Sequence, residues 1–280
     1  MKLVKKSNYL SILPFLAKVD INHHFAKSVL TQRAKGTVYV DDEITPSSFY
    51  IISGYGMSLL FGKTDNNEFN LQLRDYLLNN NNHRTEDEYL QVYPPQWSNV
   101  LAQLCGDKLI SNEDLCSAEQ LNHVVQYTRV NFEFNENKFK QAIAAQKNHL
   151  SKQAIKEISK DIYQQLDGVV VPKNFWLSAE SFIKYGKGYV LMVSDNIAST
   201  AYSATIDENI LEIGIETNPA FRGNGYAFSI CRKIIEYSLA SNLLPVWACK
   251  LENTASYLLA QKLGFTVSKE LPYYRLCKNR

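Results

Sequence analysis

No stretch of this 280-residue chain stays apolar for the ~18 residues that a membrane-spanning helix needs, so no membrane is expected among its partners and a soluble protein is predicted. An excess of charge of either sign is also missing. Thirty Lys and Arg stand against 28 Asp and Glu, net +2, and they are well mixed, which leaves no basic stripe for a nucleic-acid backbone. Cysteine pairs are absent. The five cysteines (Cys105, Cys116, Cys231, Cys249, Cys277) are odd in number and form no CxxC, and three sit in apolar surroundings, which reads as reduced thiols in a cytoplasmic protein. Metal-ligand spacings are lacking too. His23 and His24 are adjacent and so point to different helix faces, while His83, His123 and His149 belong to no HxH or HExxH, and no metal is expected. The start, MKLVKKSNYLSILPFLAKVD, imitates a signal peptide, but Lys18 and Asp20 stand where a small-residue cleavage site should lie, so an ordinary first helix is expected.

What is present is 45% apolar residues in a length comfortable for two domains, each with a core of its own. In the second half, QAIKEIS alternates like a strand, KDIYQQL and SAESFIKYG read as short helices, and GYVLMVSD, IASTAYSATI and ILEIGIET read as three strands of a meander with tight turns. A helix is expected from about Ala227 to Ala240, with Ile230, Ile234, Ile235 and Leu239 on one face. The strand LPVWACK and the helix ENTASYLLAQKLG follow, Gly264 occupying a helix end that wants positive φ, and FTVSKELPYYRLCK is expected to close the chain as a strand pair around Pro272.

Between the meander and the long helix lies TNPAFRGNGYAFSICRKII. Asn218 and Pro219 end the strand, and Arg222, Gly223, Asn224, Gly225, Tyr226 and Ala227 turn into the helix, so successive backbone N–H groups point outward at its N-terminus. The two glycines admit oxygen atoms that a Cβ would hold off, and Arg222 adds a forked cation, an arrangement suited to a pyrophosphate. A plain tight turn would want the same glycines. A Rossmann site is a poor match, because the next strand ends in Cys249 and Lys250 rather than in an acid. GMSLLFGKT ends like a Walker A loop but has Met57 where that motif needs glycine.

With FRGNGYA and ENTASYLLAQKLGF both in view, residues from about 150 to 280 resemble the GCN5-related N-acetyltransferases (GNAT). The resemblance implies an α/β fold with a mixed, mainly antiparallel sheet flanked by helices. It also implies acetyl-CoA as cosubstrate: Arg222, Gly225 and Ala227 match the R/Q-x-x-G-x-G/A signature that cradles its pyrophosphate, and the strand Ile215, Glu216, Thr217 is placed to hydrogen-bond the pantetheine arm. Asn253 carries over as a cofactor contact. The tyrosine often used as general acid is replaced by Ala260. As a whole the chain looks like a two-domain branch that includes zwittermicin A resistance acetyltransferases.

The first half echoes the second. GTVYVDD, SSFYIISG and GMSLLFGK read as strands, NEFNLQLRDYLLN as a helix, EYLQVYP as a strand, PQWSNVLAQLCG as a helix and YTRVNFEFN as a last strand, with the asparagines at 79–82 as a surface loop. Its matching loop, GKTDNNEF, has a single glycine. We therefore expect residues 1–148 to form an N-terminal α/β domain, either a degenerate GNAT-like half without cofactor or an unrelated α/β domain, and residues 149–280 the GNAT domain.

For chemistry, a lysine-like amine costs about 4 to 5 kcal/mol to deprotonate at pH 7, so a general base is useful. Glu212 and Glu216 share one strand face, and Glu212 stands ten residues before Arg222, where the histone-type members of the family carry their catalytic glutamate. A solvated strand face would look the same. Helical spacing puts Tyr257 and Ser256 three and four residues before Ala260, the positions from which an optional acid could act; Tyr257 would serve equally as core. Trp97, Trp176 and Trp247 read first as core, with Phe175 and Trp176, after Pro172, as candidates to line an acceptor pocket. The expected reaction is direct attack on acetyl-CoA by an amine of a small molecule or peptide; a non-catalytic acyl-CoA-binding or interaction module is the alternative.

Overall fold

The structure, a computed structural model, describes residues 1–82, 84–114, 123–145 and 154–278. His83, Cys116, His149 and the expected domain boundary at 148 lie outside the described residues. The chain forms two compact units. One comprises Met1–Arg129, Lys250–Glu252 and Glu270–Arg280, the other Val130–Cys249 and Asn253–Lys269. The chain thus leaves the first unit at Arg129 and returns to it for its last strand, an interleaving that a linear division of the sequence does not anticipate.

In chain order the first unit contains β1 (Lys2–Leu3), a 3-10 stretch (Lys6–Ile12) that runs into α1 (Leu13–Leu16), α2 (His24–Leu30), β2 (Gly36–Val40), β3 (Ser48–Ser53), β4 (Met57–Gly62), α3 (Asn67–Leu77), β5 (Glu88–Tyr93), α4 (Gln96–Cys105), β6 (Leu109–Ser111) and the start of β7 (Val124–Phe134). Neighbours from β1 to β4 pair antiparallel, and α3 carries the chain over to β5, which lies parallel to β4. Both faces of this sheet are buried. In β3 and β4, Phe49, Ile51, Leu59 and Phe61 face a core with Tyr9, Ile12 and Leu16, while Tyr50 and Leu60 face one with Phe69, Leu73 and Trp97. Alternation between two apolar layers is why these strands read as nearly unbroken hydrophobic runs.

One buried polar group interrupts the second core. The Glu88 carboxylate accepts from the Tyr50 hydroxyl and, at 2.5 Å, from the Tyr76 hydroxyl, and Arg84 Nε lies 3.8 Å from it, both charged side chains being only 5–6% exposed. Arg84 in turn donates to the carbonyls of Tyr76 (2.7 Å) and Leu77 (3.3 Å), which ties the 79–88 loop to the end of α3. Asn79, expected on the surface, is buried here and accepts from the Arg84 amide at 2.9 Å. Burial and the neighbouring carboxylate push the Tyr50 and Tyr76 phenols up, so both stay protonated donors. Replacing Glu88 with leucine leaves a buried guanidinium without its partner and is expected to destabilise the protein by about 3–5 kcal/mol. Urea denaturation read from tryptophan fluorescence checks this; a midpoint equal to wild type would remove the network from the stability argument.

The second unit takes up the rest of β7, then α5 (Glu136–Ala145), β8 (Ala154–Glu157), α6 (Lys160–Gln165), α7 (Pro172–Phe175), α8 (Ala179–Tyr185), β9 (Gly188–Val193), β10 (Asn196–Asp207), β11 (Ile210–Thr217), α9 (Tyr226–Ala240), β12 (Leu244–Lys250), α10 (Thr254–Lys262) and β13 (Phe265–Leu276). From β8 to β11 the strands pair antiparallel, and β12 lies parallel to β11 after the α9 crossover. The expected α/β class and the repeated order of meander, helix, parallel strand and helix are both present. Helix α9 buries Ile230, Ile234 and Ile235 against Leu211, Ile213 and Trp247, and α6–α8 cover the other face through Tyr163, Trp176 and Phe182 packed on Val190 and Tyr202.

Two expectations need correction. β13 runs as one continuous strand through Pro272 rather than as a pair around it. Its residues from Glu270 onward belong to the first unit, where Tyr274–Leu276 pair antiparallel with Glu88–Leu90 of β5. Trp176 does not line a pocket: it is buried, its indole N–H donating to the Ser203 carbonyl at 2.8 Å. Among the described residues no helix is long and apolar enough to cross a membrane.

Candidate active site

β11 and β12 begin as a regular parallel ladder and then part. Ile210 pairs with Leu244, Leu211 with Pro245 and Glu212 with Val246, and there the register ends, although β11 continues to Thr217 and β12 beyond Trp247. The first half does the opposite: β4 and β5 stay zipped from Met57↔Tyr89 to Phe61↔Tyr93, the last residue of β5. The β11–β12 pair therefore opens a slot into which an extended chain could add hydrogen bonds, and the β4–β5 pair does not.

The bare loop follows directly. Asn218 Oδ1 accepts from the Ala220 amide at 3.0 Å and starts a 3-10 turn, Pro219–Phe221, that ends β11. Arg222 Nε donates to the Thr217 carbonyl at 3.3 Å, which anchors the guanidinium at the strand end. Asn224 Nδ2 donates to the carbonyls of Phe221 (3.1 Å) and Arg222 (3.2 Å) and pins the loop from inside. Gly223 and Gly225 have φ of +80° and +77°, and a Cβ on either would meet nothing within 4 Å. Close packing within the chain is thus not what requires these glycines. Left-handed backbone is, and the space beyond them is open. Gly225 is the N-cap of α9 and makes no side-chain cap hydrogen bond, so this 15-residue helix presents its first turn of backbone at a bare, positively polarised start.

Strand alternation sends Leu211, Ile213 and Ile215 toward α9 and leaves Glu212, Gly214 and Glu216 on the opposite face, as read from the sequence. A Cβ at Gly214 would lie 2.5 Å from the Tyr202 ring, so that ring separates the two glutamates. Glu212 is half-buried and belongs to the last rung of the ladder, at the fork of the strands. Glu216 is committed elsewhere: its oxygens accept from the amides of Val169 (3.3 Å) and Val170 (3.0 Å), so its carboxylate orders the α6–α7 loop. Beside it lies a cleft of about 440 Å³ that sequence reasoning missed, because Gln165–Gly168, Asp195–Thr200 and Glu216 converge there from three separate segments.

The remaining site residues lie on or before α10. Asn253 is its N-cap, Oδ1 accepting from the Ser256 amide at 3.2 Å. The Ser256 hydroxyl accepts from the Trp247 indole at 3.2 Å, Tyr257 packs edge-on against Phe132 with centroids 5.5 Å apart, and Ala260 is fully buried. Cys105, Cys231, Cys249 and Cys277 form no disulfide and are buried, and burial pushes the Cys105 thiol up to about 11 and raises those of Cys231 and Cys277.

A meander, a bare helix start and a parallel neighbour that parts from its partner define the architecture of an acyltransferase. Residues 16–274 match the family described as GNAT acetyltransferase, and the chain belongs to it. The uncharacterized N-acetyltransferase YdfB of Bacillus subtilis (strain 168) is similar, 26% identical over 254 residues that cover 89% of each chain. Two solved structures share the fold. A GCN5-related N-acetyltransferase-like protein from Streptococcus suis 89/1591 has a TM-score of 0.70 at 20% identity, over 98% of this chain and 100% of that one. A tandem GNAT protein from the clavulanic acid biosynthesis pathway has a TM-score of 0.59 at 8% identity, over 100% and 98%. Family membership makes the chain an N-acetyltransferase enzyme rather than the non-catalytic module that the sequence left open.

Proposed function

We propose that the enzyme transfers the acetyl group of acetyl-CoA to an amine of a small molecule or peptide, by direct attack, with Glu212 as general base. The observation that carries this reading is the fork of β11 and β12 with Glu212 on its last rung and the Gly223–Ala227 amides beyond it. The residues fit the cosubstrate. Open space over Gly223 and Gly225, the uncapped N-terminus of α9 and the anchored Arg222 guanidinium suit a pyrophosphate, and the unzipped edge at Ile215–Thr217 suits the pantetheine amides. For Glu216 and Asn253 the side chains are already engaged through Val169, Val170 and Ser256, so Glu216 would contribute its backbone and Asn253 would act mainly as the cap that orders α10.

Among the described residues the four cysteines are all buried, which favours direct attack over an acyl-enzyme on any of them. They also suit a reducing compartment such as the cytoplasm. The 440 Å³ cleft beside Glu216 carries Asp167 and Asp195 and no basic side chain, which suits an amine that arrives protonated. The Tyr202 ring stands between this cleft and Glu212, so the cleft gathers the amine rather than holding it for reaction. At the fork Glu212 takes the proton of the amine, the free amine attacks the thioester carbonyl, the carbon–sulfur bond breaks, and the departing CoA thiolate takes up the proton that the new amide nitrogen sheds. The test is CoA release with panels of primary amines. Turnover with none of them, in a protein that binds acetyl-CoA, would overturn the reading.

A dedicated acid is not required, because a thiol with pKa near 8.5 leaves as thiolate at pH 7 at a cost of only about 2 kcal/mol. Ser256 and Tyr257 already have structural partners in Trp247 and Phe132. Ser256→Ala and Tyr257→Phe are each expected to lower kcat less than tenfold; a hundredfold loss with CoA affinity intact would place an acid there.

A further inference from the structure

The first unit has a cavity at the place where, by element order, the second unit has its glycine loop. It lies at the C-terminal ends of β4 and β5, measures about 780 Å³ and is lined by Phe15, Phe49, Phe61 and Tyr93. The zipped β4–β5 ladder and the GKTDNNEF loop leave no slot for a pantetheine arm there. The shape is nevertheless that of a ligand site. Phe49 and Phe61, almost fully buried, stack at 4.7 Å with planes 14° apart and form the floor of the cavity, while the partly exposed Phe15, 4.9 Å from Phe49, and Tyr93 present ring surface to it. Volume and apolar lining fall in the range of drug-sized ligands.

The mouth carries charge. Lys18 and Lys63 line it against a single carboxylate, Asp65, and among the described residues neither ammonium has an ion-pair partner. Lys18 Nζ sits 5.8 Å from the Phe15 ring. The nearby Asp41 is not a competitor for them, since its carboxylate accepts from Ser47 N and Oγ, Ser48 N and Asn66 Nδ2.

We propose that this cavity binds a small aromatic carboxylate or sulfonate, its ring against Phe15 and Tyr93 over the Phe49–Phe61 floor and its anion between Lys18 and Lys63. The site is independent of acetyl transfer.

The test uses the full chain and the aromatic anion 8-anilinonaphthalene-1-sulfonate, with neutral N-phenyl-1-naphthylamine as control. One-to-one binding of the anion is expected, at least tenfold tighter than the neutral probe. The double variant K18E/K63E, changed at two exposed positions, should weaken the anion about tenfold or more and leave acetyl-CoA affinity as it is. Gln96→Trp, at another exposed lining position, should fill the mouth and abolish binding of both probes. Equal affinity for the two probes, or an anion affinity untouched by K18E/K63E, would overturn the proposal. So would a dimer in sedimentation velocity that Gln96→Trp dissociates, which would assign this face to a second copy of the chain.

Discussion

Gly225→Val is expected to abolish acetyl-CoA binding, with a loss of at least a hundredfold measured by isothermal titration calorimetry. The reasoning separates two effects that a glycine substitution usually mixes. A β-branched residue at φ of +77° is strained by about 1–2 kcal/mol, a modest fraction of the stability of a domain. No atom of the protein lies within 4 Å of the new Cβ, so the fold has no clash to relieve. Binding should therefore fail because the side chain stands where pyrophosphate oxygens must approach the amides of Tyr226 and Ala227. A variant that melts within a few degrees of wild type yet gives no heat with acetyl-CoA is the expected result; unchanged affinity would sink the cradle.

The second large effect is on the chemical step. Glu212→Gln keeps the shape of the side chain and removes the base, and general bases typically contribute about 10² to 10⁴ in rate. Turnover at neutral pH should fall by that amount with acetyl-CoA affinity unchanged. The loss should shrink as pH rises toward the amine pKa near 10.4, since the free amine then accumulates about tenfold per pH unit without help. Glu216→Gln serves as comparison, because its carboxylate orders the α6–α7 loop and its loss carries no such pH signature. A Glu212→Gln enzyme as fast as wild type would exclude the role.

Much of this was legible in the chain because local signals and tertiary demands agree. The turn at Ser194 and Asp195, both at positive φ, the glycine loop and the left-handed Gly264 at the end of α10 each follow from one or two residues. The alternation that puts Glu212 and Glu216 on one face is likewise a matter of spacing alone. What the sequence did not disclose depends on partners remote in the chain. The end of the β11–β12 ladder at Glu212 has no local marker, since ILEIGIET and LPVWACK read as equally good strands along their whole length. The engagement of Glu216 with Val169 and Val170 joins segments 46 residues or more apart. Pro272 was read as a break because proline removes a ladder donor, yet β13 passes through it as the strand changes from one unit to the other.

That change of unit has a meaning for how the chain is made. β5 receives Tyr274–Leu276 as its neighbour, and Tyr274 and Leu276 enter the same core as Trp97. A ribosome that has delivered the first 148 residues has therefore delivered an unfinished sheet, with β5 as an open edge and the Trp97 core short of two of its members. Synthesis of the second unit runs its whole course before the first can close, so the usual order in which the N-terminal part of a protein matures first is inverted here. For the same reason, trimming the C-terminus would wound the part of the molecule that begins at residue 1.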